Sequence, residues 1–84
     1  MDQSRSPNAP TIEKWLASLI GELLDIAPEK IDVTKRFDRY GLDSAAAISV
    51  TASLEKYLGR ALDSTLLYNH PTIQKLASHL AEGQ

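Results

Sequence analysis

The part of the sequence best suited to chemistry is a short turn that leads into a helix, Gly41-Leu42-Asp43-Ser44. Gly41 can adopt the positive φ that a sharp turn often requires. Asp43 is a favoured N-cap residue, because its carboxylate accepts hydrogen bonds from the free backbone N–H groups of the first turn. The hydroxyl of Ser44 then lies at the exposed, electropositive end of the helix. Since the helix dipole and these N–H groups stabilise negative charge, the position favours attachment of a phosphate group.

The same four residues also have a purely structural interpretation, since glycine, aspartate and serine are common in turns and helix caps. A catalytic role for Ser44 is disfavoured, because no histidine, lysine or second carboxylate stands at a spacing that would activate its hydroxyl. His70 is predicted to be a capping or packing residue and His79 a solvated surface residue. We therefore predict no enzyme, and the local sequence leaves modification and simple helix capping open.

Length and composition disfavour several classes of function. The chain has 84 residues, enough for one small domain. It contains no cysteine, which rules out disulfides and thiolate metal sites, and its 2 histidines are too few for a metal site. A net charge of -2, from 9 basic and 11 acidic residues, argues against nucleic-acid binding. Because no apolar run reaches membrane-spanning length and no signal peptide is recognisable, we expect a soluble, cytoplasmic protein. We also expect a monomer.

The first structured element predicted by the sequence is an amphipathic helix. Residues 1–10 are polar and interrupted by two prolines, which predicts a disordered tail or linker. Thr11 is the predicted cap of the helix that follows. The apolar residues of this helix recur at steps of three and one: Ile12, Trp15, Leu16, Leu19, Ile20, Leu23 and Leu24. Gly21 interrupts the helix at a cost of about 1 kcal/mol relative to alanine, and Pro28 marks its latest possible end.

A long connection, residues 26–42, separates this helix from the next. Such a length is unusual in a small domain unless the connection is held down or functional. Local turns are predicted within residues 28–34. Three apolar side chains are expected to insert into the core and hold the connection across one end of the bundle: Ile31, Val33 and Phe37. Asp38 and Arg39 are expected to face water.

The second main helix is predicted from Ser44 to about Leu58, and Gly59 is a favourable residue just past its end. The side chains predicted to be buried are Ala47, Val50, Leu54, Tyr57 and Leu58. The opposite face has short, weakly polar side chains and includes Ala45, Ile48 and Ser49. The residues of this face either serve only to favour helix formation or make a flat surface at which another protein docks.

Two further helical segments complete the predicted fold. Asp63-Ser64-Thr65 can cap a short apolar turn, Leu66-Leu67-Tyr68, and Pro71 suits the first turn of a final helix. The apolar stripe of this last helix is Ile73, Leu76, Ala77 and Leu80. No strand pattern is present. We therefore predict an all-α fold: a small four-helix bundle of three main helices and a short third helix, with the domain at 11–82 and a tail at 83–84.

Two motifs, set at this separation in an all-helical chain, resemble those of acyl carrier proteins, and the resemblance covers about residues 11–81. The first motif is Gly41-Leu42-Asp43-Ser44, which matches the family's GxDS segment with its modified serine at the start of the second helix. The second motif is a later segment made of Leu58-Gly59-Arg60, Leu62, Thr65-Leu66-Leu67-Tyr68 and Pro71-Thr72-Ile73. The combination is far more specific than either motif alone.

This resemblance implies a carrier rather than a catalyst. A dedicated phosphopantetheinyl transferase would move phosphopantetheine from coenzyme A onto the hydroxyl of Ser44, and the thiol of this cofactor would hold acyl groups as thioesters. Gly41, Leu42 and Asp43 would surround the attached group, with Asp43 shaping the loop or contacting the transferase. The other implied partners are an acyl-loading enzyme, either a fatty acyl-AMP ligase or an acyltransferase, and a ketosynthase or other downstream synthase domain.

The details resemble carrier domains of polyketide synthases more than carriers of bacterial fatty acid synthesis. Ala45 follows the serine, and Ser49 and Thr51 stand where charged residues are frequent, so docking through acidic side chains is not expected. Residues 40–49 are similar to carriers loaded by fatty acyl-AMP ligases at the start of polyketide or lipopeptide pathways. That similarity implies docking by shape and apolar contact near Ala45, Ile48 and Ser49.

Two alternatives remain open. A peptidyl carrier domain of nonribosomal peptide synthesis has the same fold and arm, although Leu42 stands where such domains often have a second glycine. A helical protein-interaction domain without a prosthetic group would use Ser44 only as part of the helix cap. Treatment with coenzyme A and a phosphopantetheinyl transferase distinguishes this second alternative from the carriers.

Overall fold

The computed structural model describes residues 7–82, and this part of the chain folds into four α-helices and two 3-10 helices. The α-helices are α1 (Ala9–Leu24), α2 (Ser44–Leu58), α3 (Leu66–Asn69) and α4 (Ile73–Ala81), and the 3-10 helices are Pro28–Lys30 and Phe37–Tyr40. Within the described range the only β pairing is an isolated antiparallel bridge between Arg36 and Thr72. The predicted all-α fold with a short third helix is confirmed. None of these helices combines the length and apolar character needed to cross a bilayer.

Helix α1 begins earlier than the sequence predicted. Asn8, rather than Thr11, is the N-cap, and its Oδ1 accepts a hydrogen bond from the N–H of Thr11 at 3.0 Å. Asparagine is a better N-cap than threonine, and Pro10 fits the first turn because that turn does not need its N–H group. The prediction of a tail up to residue 10 is therefore wrong at Ala9 and Pro10. The rest of that tail up to residue 6, and the predicted tail at 83–84, lie outside the described residues.

The hydrophobic core lies between the apolar faces of α1, α2 and α4. Its largest fully buried side chains are Ile12, Leu16, Ile20, Val50, Leu54, Ile73, Leu76 and Leu80. The predicted stripe of α1 is confirmed except at Leu23, which is largely exposed. At the edge of the core Trp15 stacks on Tyr57 of α2, with ring centroids 4.3 Å apart. Both rings are partly buried, and the stacking covers one face of each.

The long connection is held against the beginning of α4. The N–H of Phe37 donates to the carbonyl of Pro71 at 2.8 Å, and the N–H of Gln74 donates to the carbonyl of Val33 at 2.9 Å. Ile31 and Phe37 are buried, and Val33 packs against the core. The predicted insertion of these three side chains is confirmed, and the two backbone hydrogen bonds fix where the connection lies.

The connection also closes on itself before it reaches α2. The carboxylate of Asp32 accepts hydrogen bonds from the N–H and hydroxyl of Thr34, at 2.9 and 2.7 Å. The hydroxyl of Tyr40 accepts from the N–H of Asp32 at 2.7 Å and donates to its carbonyl at 2.9 Å. The predicted turns are confirmed, whereas the 3-10 helix Phe37–Tyr40 was not predicted. Tyr40 thereby fixes the chain immediately before Gly41.

Two predictions for the end of the chain are wrong. Pro71 lies before α4 rather than in its first turn, because Thr72 is the N-cap and its Oγ1 accepts from the N–H of Lys75 at 3.1 Å. His79 is partly buried instead of solvated, since its ring stacks on that of His70 with centroids 4.1 Å apart. Burial, together with the neighbouring His79, lowers the pKa of His70. The prediction that His70 packs or caps is confirmed.

Gly21 occupies the point where the connection returns against α1. The N–H of Ile26 donates to the Gly21 carbonyl at 2.8 Å. A Cβ added to Gly21 would lie only 2.5 Å from the carbonyl oxygen of Ile26, so the close approach of two backbone segments requires glycine here. The turn of the chain at the end of α1 therefore explains a glycine that helix propensity disfavours.

We expect Gly21→Ala to lower the free energy of unfolding by about 1–3 kcal/mol, although alanine by itself favours a helix by about 1 kcal/mol. The atom that would clash belongs to the backbone and cannot move aside by a change of rotamer. Urea denaturation measures the effect, with Ser18→Ala at an exposed position of the same helix as the control. An increase in stability would show that the connection moves away at little cost.

Candidate functional site

Ser44 is the first residue of α2 and is exposed, and the loop before it has the geometry that the sequence predicted. Gly41 ends the 3-10 helix with φ 80°, in the left-handed region, and donates its N–H to the carbonyl of Asp38 at 3.2 Å. Asp43 is the N-cap of α2, and its Oδ1 accepts from the N–H of Ala46 at 2.9 Å. The predicted turn, cap and helix start are therefore confirmed.

The electrostatic character of this helix end suits an attached anion. The first N–H groups of a helix have no intrahelical partner, and the carboxylate of Asp43 satisfies that of Ala46. The N–H groups of Ser44 and Ala45 therefore have no intrahelical partner, and they lie at the same end of α2 as the Ser44 hydroxyl. No acidic residue lies in the first turn of α2. The positive end of the helix dipole can thus stabilise a phosphodiester on Ser44.

A small, mainly apolar cavity of about 90 Å³ opens beside this loop. Its apolar walls are Phe37, Leu42, Ala47, Leu67, Tyr68 and Pro71, and its charged lining residues are Arg36, Asp38 and Asp43. Leu42 is half-buried and packs against the core. Leu42 therefore forms part of the cavity wall and anchors the loop that precedes Ser44.

The exposed face of α2 next to Ser44 is uncharged. Ala45, Ile48 and Ser49 are all exposed, and 63 % of the Ile48 surface is accessible. The first charged residue along α2 is Glu55. Tyr68 on α3, which is 66 % exposed and also lines the cavity, adds a second apolar group that was not singled out from the sequence. The sequence feature that could have indicated Tyr68 is its membership of the later motif, in the segment Thr65-Leu66-Leu67-Tyr68.

An ion pair lies at the same cavity and could not be foreseen from the sequence. The Nε and Nη2 atoms of Arg36 donate to the two carboxylate oxygens of Asp38, each at 3.2 Å. This contact holds the pKa of the Asp38 carboxyl below its usual value and raises the pKa of the Arg36 guanidinium. The sequence predicted only that Asp38 faces water and gave no role to Arg36. The folded connection brings both of them beside Asp43.

Fold and site together define a small helical domain that displays a serine hydroxyl on its surface. The two histidines stack on each other, and neither lines the cavity beside Asp43. The groups present fit a phosphate-linked arm: the Ser44 hydroxyl would supply the ester oxygen, and the backbone N–H groups at the helix end would stabilise the phosphate. Within the described residues the candidate site is thus an exposed hydroxyl at a helix end, beside a small apolar cavity.

Comparison with known proteins agrees with this class. The chain belongs to the phosphopantetheine attachment site family, which matches residues 14–80. Phosphopantetheine, attached covalently, is therefore its cofactor, and its thiol supplies the thioester chemistry of such carriers. The predicted family and cofactor are confirmed.

The similar sequences include large synthases and a small carrier. The chain is 34% identical over 71 residues to a subunit of the phenolphthiocerol/phthiocerol polyketide synthase of Mycobacterium tuberculosis, covering 84% of this chain and 4% of that protein. It is 30% identical over 73 residues to the acyl carrier protein TtuC of Teredinibacter turnerae, covering 87% of this chain and 84% of that protein. The chain thus spans a small part of the synthases and most of the small carrier.

Solved structures of carrier proteins share the fold. A free-standing peptidyl carrier protein from Acinetobacter baumannii is 34% identical, with a TM-score of 0.85 and coverage of 90% of this chain and 95% of that one. An acyl carrier protein from Anabaena with a variant phosphopantetheinylation-site sequence is 36% identical, with a TM-score of 0.85 and coverage of 98% and 93%. The chain is a carrier domain, and its polyketide synthase relatives support the acyl-carrier interpretation.

Two general properties follow from membership of this class. Carrier domains are generally non-catalytic. Carrier domains of polyketide synthases interact with other synthase domains and with a phosphopantetheinyl transferase.

Proposed function

We propose that this chain is an acyl carrier that bears phosphopantetheine on Ser44 and serves polyketide, lipopeptide or related fatty-acyl biosynthesis. The observation that supports Ser44 most strongly is its exposed hydroxyl at the first position of α2, directly after the Asp43 cap. In the transferase reaction Ser44 Oγ forms a bond to the phosphorus next to the pantetheine chain of coenzyme A. The pyrophosphate bond breaks, 3′,5′-adenosine diphosphate leaves, and the serine proton passes to the transferase.

The residues before Ser44 have distinct roles in this proposal. Gly41 supplies the left-handed turn that brings the chain back to the helix, and Leu42 anchors the loop in the cavity wall. The Asp43 carboxylate is occupied by the N–H of Ala46, which keeps the first turn of α2 rigid. These residues hold the hydroxyl in place and leave its chemistry to the transferase.

We further propose that the loading partner is a fatty acyl-AMP ligase or an acyltransferase and that a ketosynthase or other synthase domain accepts the acyl group. The uncharged surface at Ala45, Ile48 and Ser49 favours docking by shape and apolar contact. A cytoplasmic setting is part of the proposal, since the arm comes from coenzyme A. We propose that the carrier acts as a monomer.

Ile48→Glu is expected to slow acyl loading of the arm-bearing protein by about tenfold or more, because it places a charge at the centre of the apolar docking surface. Since Ile48 is 63 % exposed, the change should leave the thermal unfolding midpoint nearly constant. The loading rate by a fatty acyl-AMP ligase, followed by intact mass, tests this. Ser18→Glu on the exposed side of α1 introduces the same charge elsewhere and is the control. Equal loading rates for the two variants would show that the exposed face of α2 is not the docking surface.

A peptidyl carrier is the second candidate, favoured by the similarity to the peptidyl carrier protein from Acinetobacter baumannii. Intact mass after treatment with coenzyme A and a transferase tests the shared carrier function. Offering the arm-bearing protein to a fatty acyl-AMP ligase and to an amino-acid adenylation domain in parallel then distinguishes the two cargoes. Loading only with an aminoacyl group would favour the peptidyl carrier.

A further inference from the structure

Among residues 7–82, Arg36 is the only cation whose side chain lines the cavity beside Asp43. Its backbone is fixed, because Arg36 forms the antiparallel bridge with Thr72 and the next residue donates its N–H to Pro71 at 2.8 Å. Arg36 therefore lines the cavity from a fixed backbone. Leu42 and Asp43, from the loop that ends at Ser44, line the same cavity.

The charge balance at this opening changes when Ser44 is modified. The cavity already has two carboxylates, Asp38 and Asp43, and a phosphodiester next to Asp43 adds another negative charge. The helix dipole offsets only part of this charge. A neighbouring cation that can move toward the phosphate lowers the remaining repulsion.

Arg36 can make that movement at little cost. Its present partner is Asp38, at 3.2 Å, and the two side chains are 57% and 65% exposed. Exposed ion pairs of this kind contribute little to stability, so exchanging or sharing the partner is inexpensive. The planar guanidinium can bind two phosphate oxygens with the same bidentate geometry that it uses on the Asp38 carboxylate.

We propose that Arg36 contacts the phosphodiester of the attached phosphopantetheine and so positions the base of the arm on the cavity side of α2. This rests on the proposed attachment to Ser44. Arg36 is a positioning residue in this arrangement, and Asp38 is the competitor that holds it before modification. Arg39, which is exposed but does not line the cavity, has no such role.

Nuclear magnetic resonance on the unmodified and the modified protein tests the proposal. In 15N-labelled protein the Nε–Hε signal of Arg36 should shift downfield and exchange more slowly with water after modification, while that of Arg39 stays constant. In Arg36→Gln the 31P signal of the phosphodiester should move toward that of the same modified protein unfolded in urea, and in Arg39→Gln it should remain unchanged. Asp38→Asn, which removes the competitor, should strengthen the Arg36 response.

The outcomes separate this proposal from the proposed function. If mass spectrometry detects no arm on the wild type, the proposed function and the Arg36 contact both fail. If the arm is present but Arg36 shows no response, or Arg36 and Arg39 respond equally, only the contact is refuted. A change in the Arg36 signal that is absent for Arg39, and absent when the Ser44→Ala protein receives the same treatment, supports both the proposed function and the Arg36 contact.

Discussion

Ser44→Ala is expected to abolish the gain in mass that the wild-type protein shows after incubation with coenzyme A and a phosphopantetheinyl transferase. The wild type should gain one phosphopantetheine, because the exposed Ser44 hydroxyl lies at a helix end that tolerates the new negative charge. Alanine removes the oxygen that forms the ester and changes nothing else of consequence. Helicity and the unfolding midpoint should stay nearly constant, since alanine is a good helix former.

Ser78→Ala provides the matched control for this experiment. Ser78 is also an exposed serine in a helix but lies on α4, outside the proposed docking surface, and its replacement should leave the gain in mass intact. A modified Ser44→Ala protein would assign the arm to another residue. A folded wild type that takes up no arm would instead favour the helical interaction domain, in which Ser44 belongs only to the cap.

Phe37→Ala is expected to lower the free energy of unfolding by about 3–5 kcal/mol, more than the Gly21→Ala change does. Phe37 is 5% exposed and its backbone N–H is bonded to Pro71, so its ring anchors the connection that leads to Ser44. A domain of this size is stable by roughly 4–12 kcal/mol, so the variant should be close to unfolding at room temperature. Urea denaturation followed by circular dichroism measures the loss.

The functional part of this prediction is slower transfer of the arm under conditions where the variant is still folded. Loss of the ring removes part of the cavity wall that Phe37 forms together with Leu42. Phe37→Leu keeps an apolar side chain and should lose only about 1 kcal/mol and retain the transfer rate. If Phe37→Ala lost less than about 1 kcal/mol, the connection would have to be held by its backbone hydrogen bonds alone.

The sequence by itself determined the elements that depend on local interactions. The bounds of α2 were predicted correctly because Asp43 and Gly59 act on the helix ends next to them. The core positions followed from the periodicity of apolar residues, since each helix must bury its apolar side. Ser44 was identified for the same reason, because turn, cap and hydroxyl are consecutive in the chain. Local competition between caps explains the error at the start of α1, where Asn8 is preferred over Thr11.

Only the tertiary structure decided the features that depend on how segments of the chain meet. The need for glycine at position 21 arises because the chain turns back at the end of α1 and brings the Ile26 carbonyl close, and the place of the connection depends on its hydrogen bonds to the start of α4. The stacking of His79 on His70 and the position of Arg36 at the cavity beside Asp43 have the same origin. No spacing rule encodes such contacts, because they form only when packing of the core brings separate segments together.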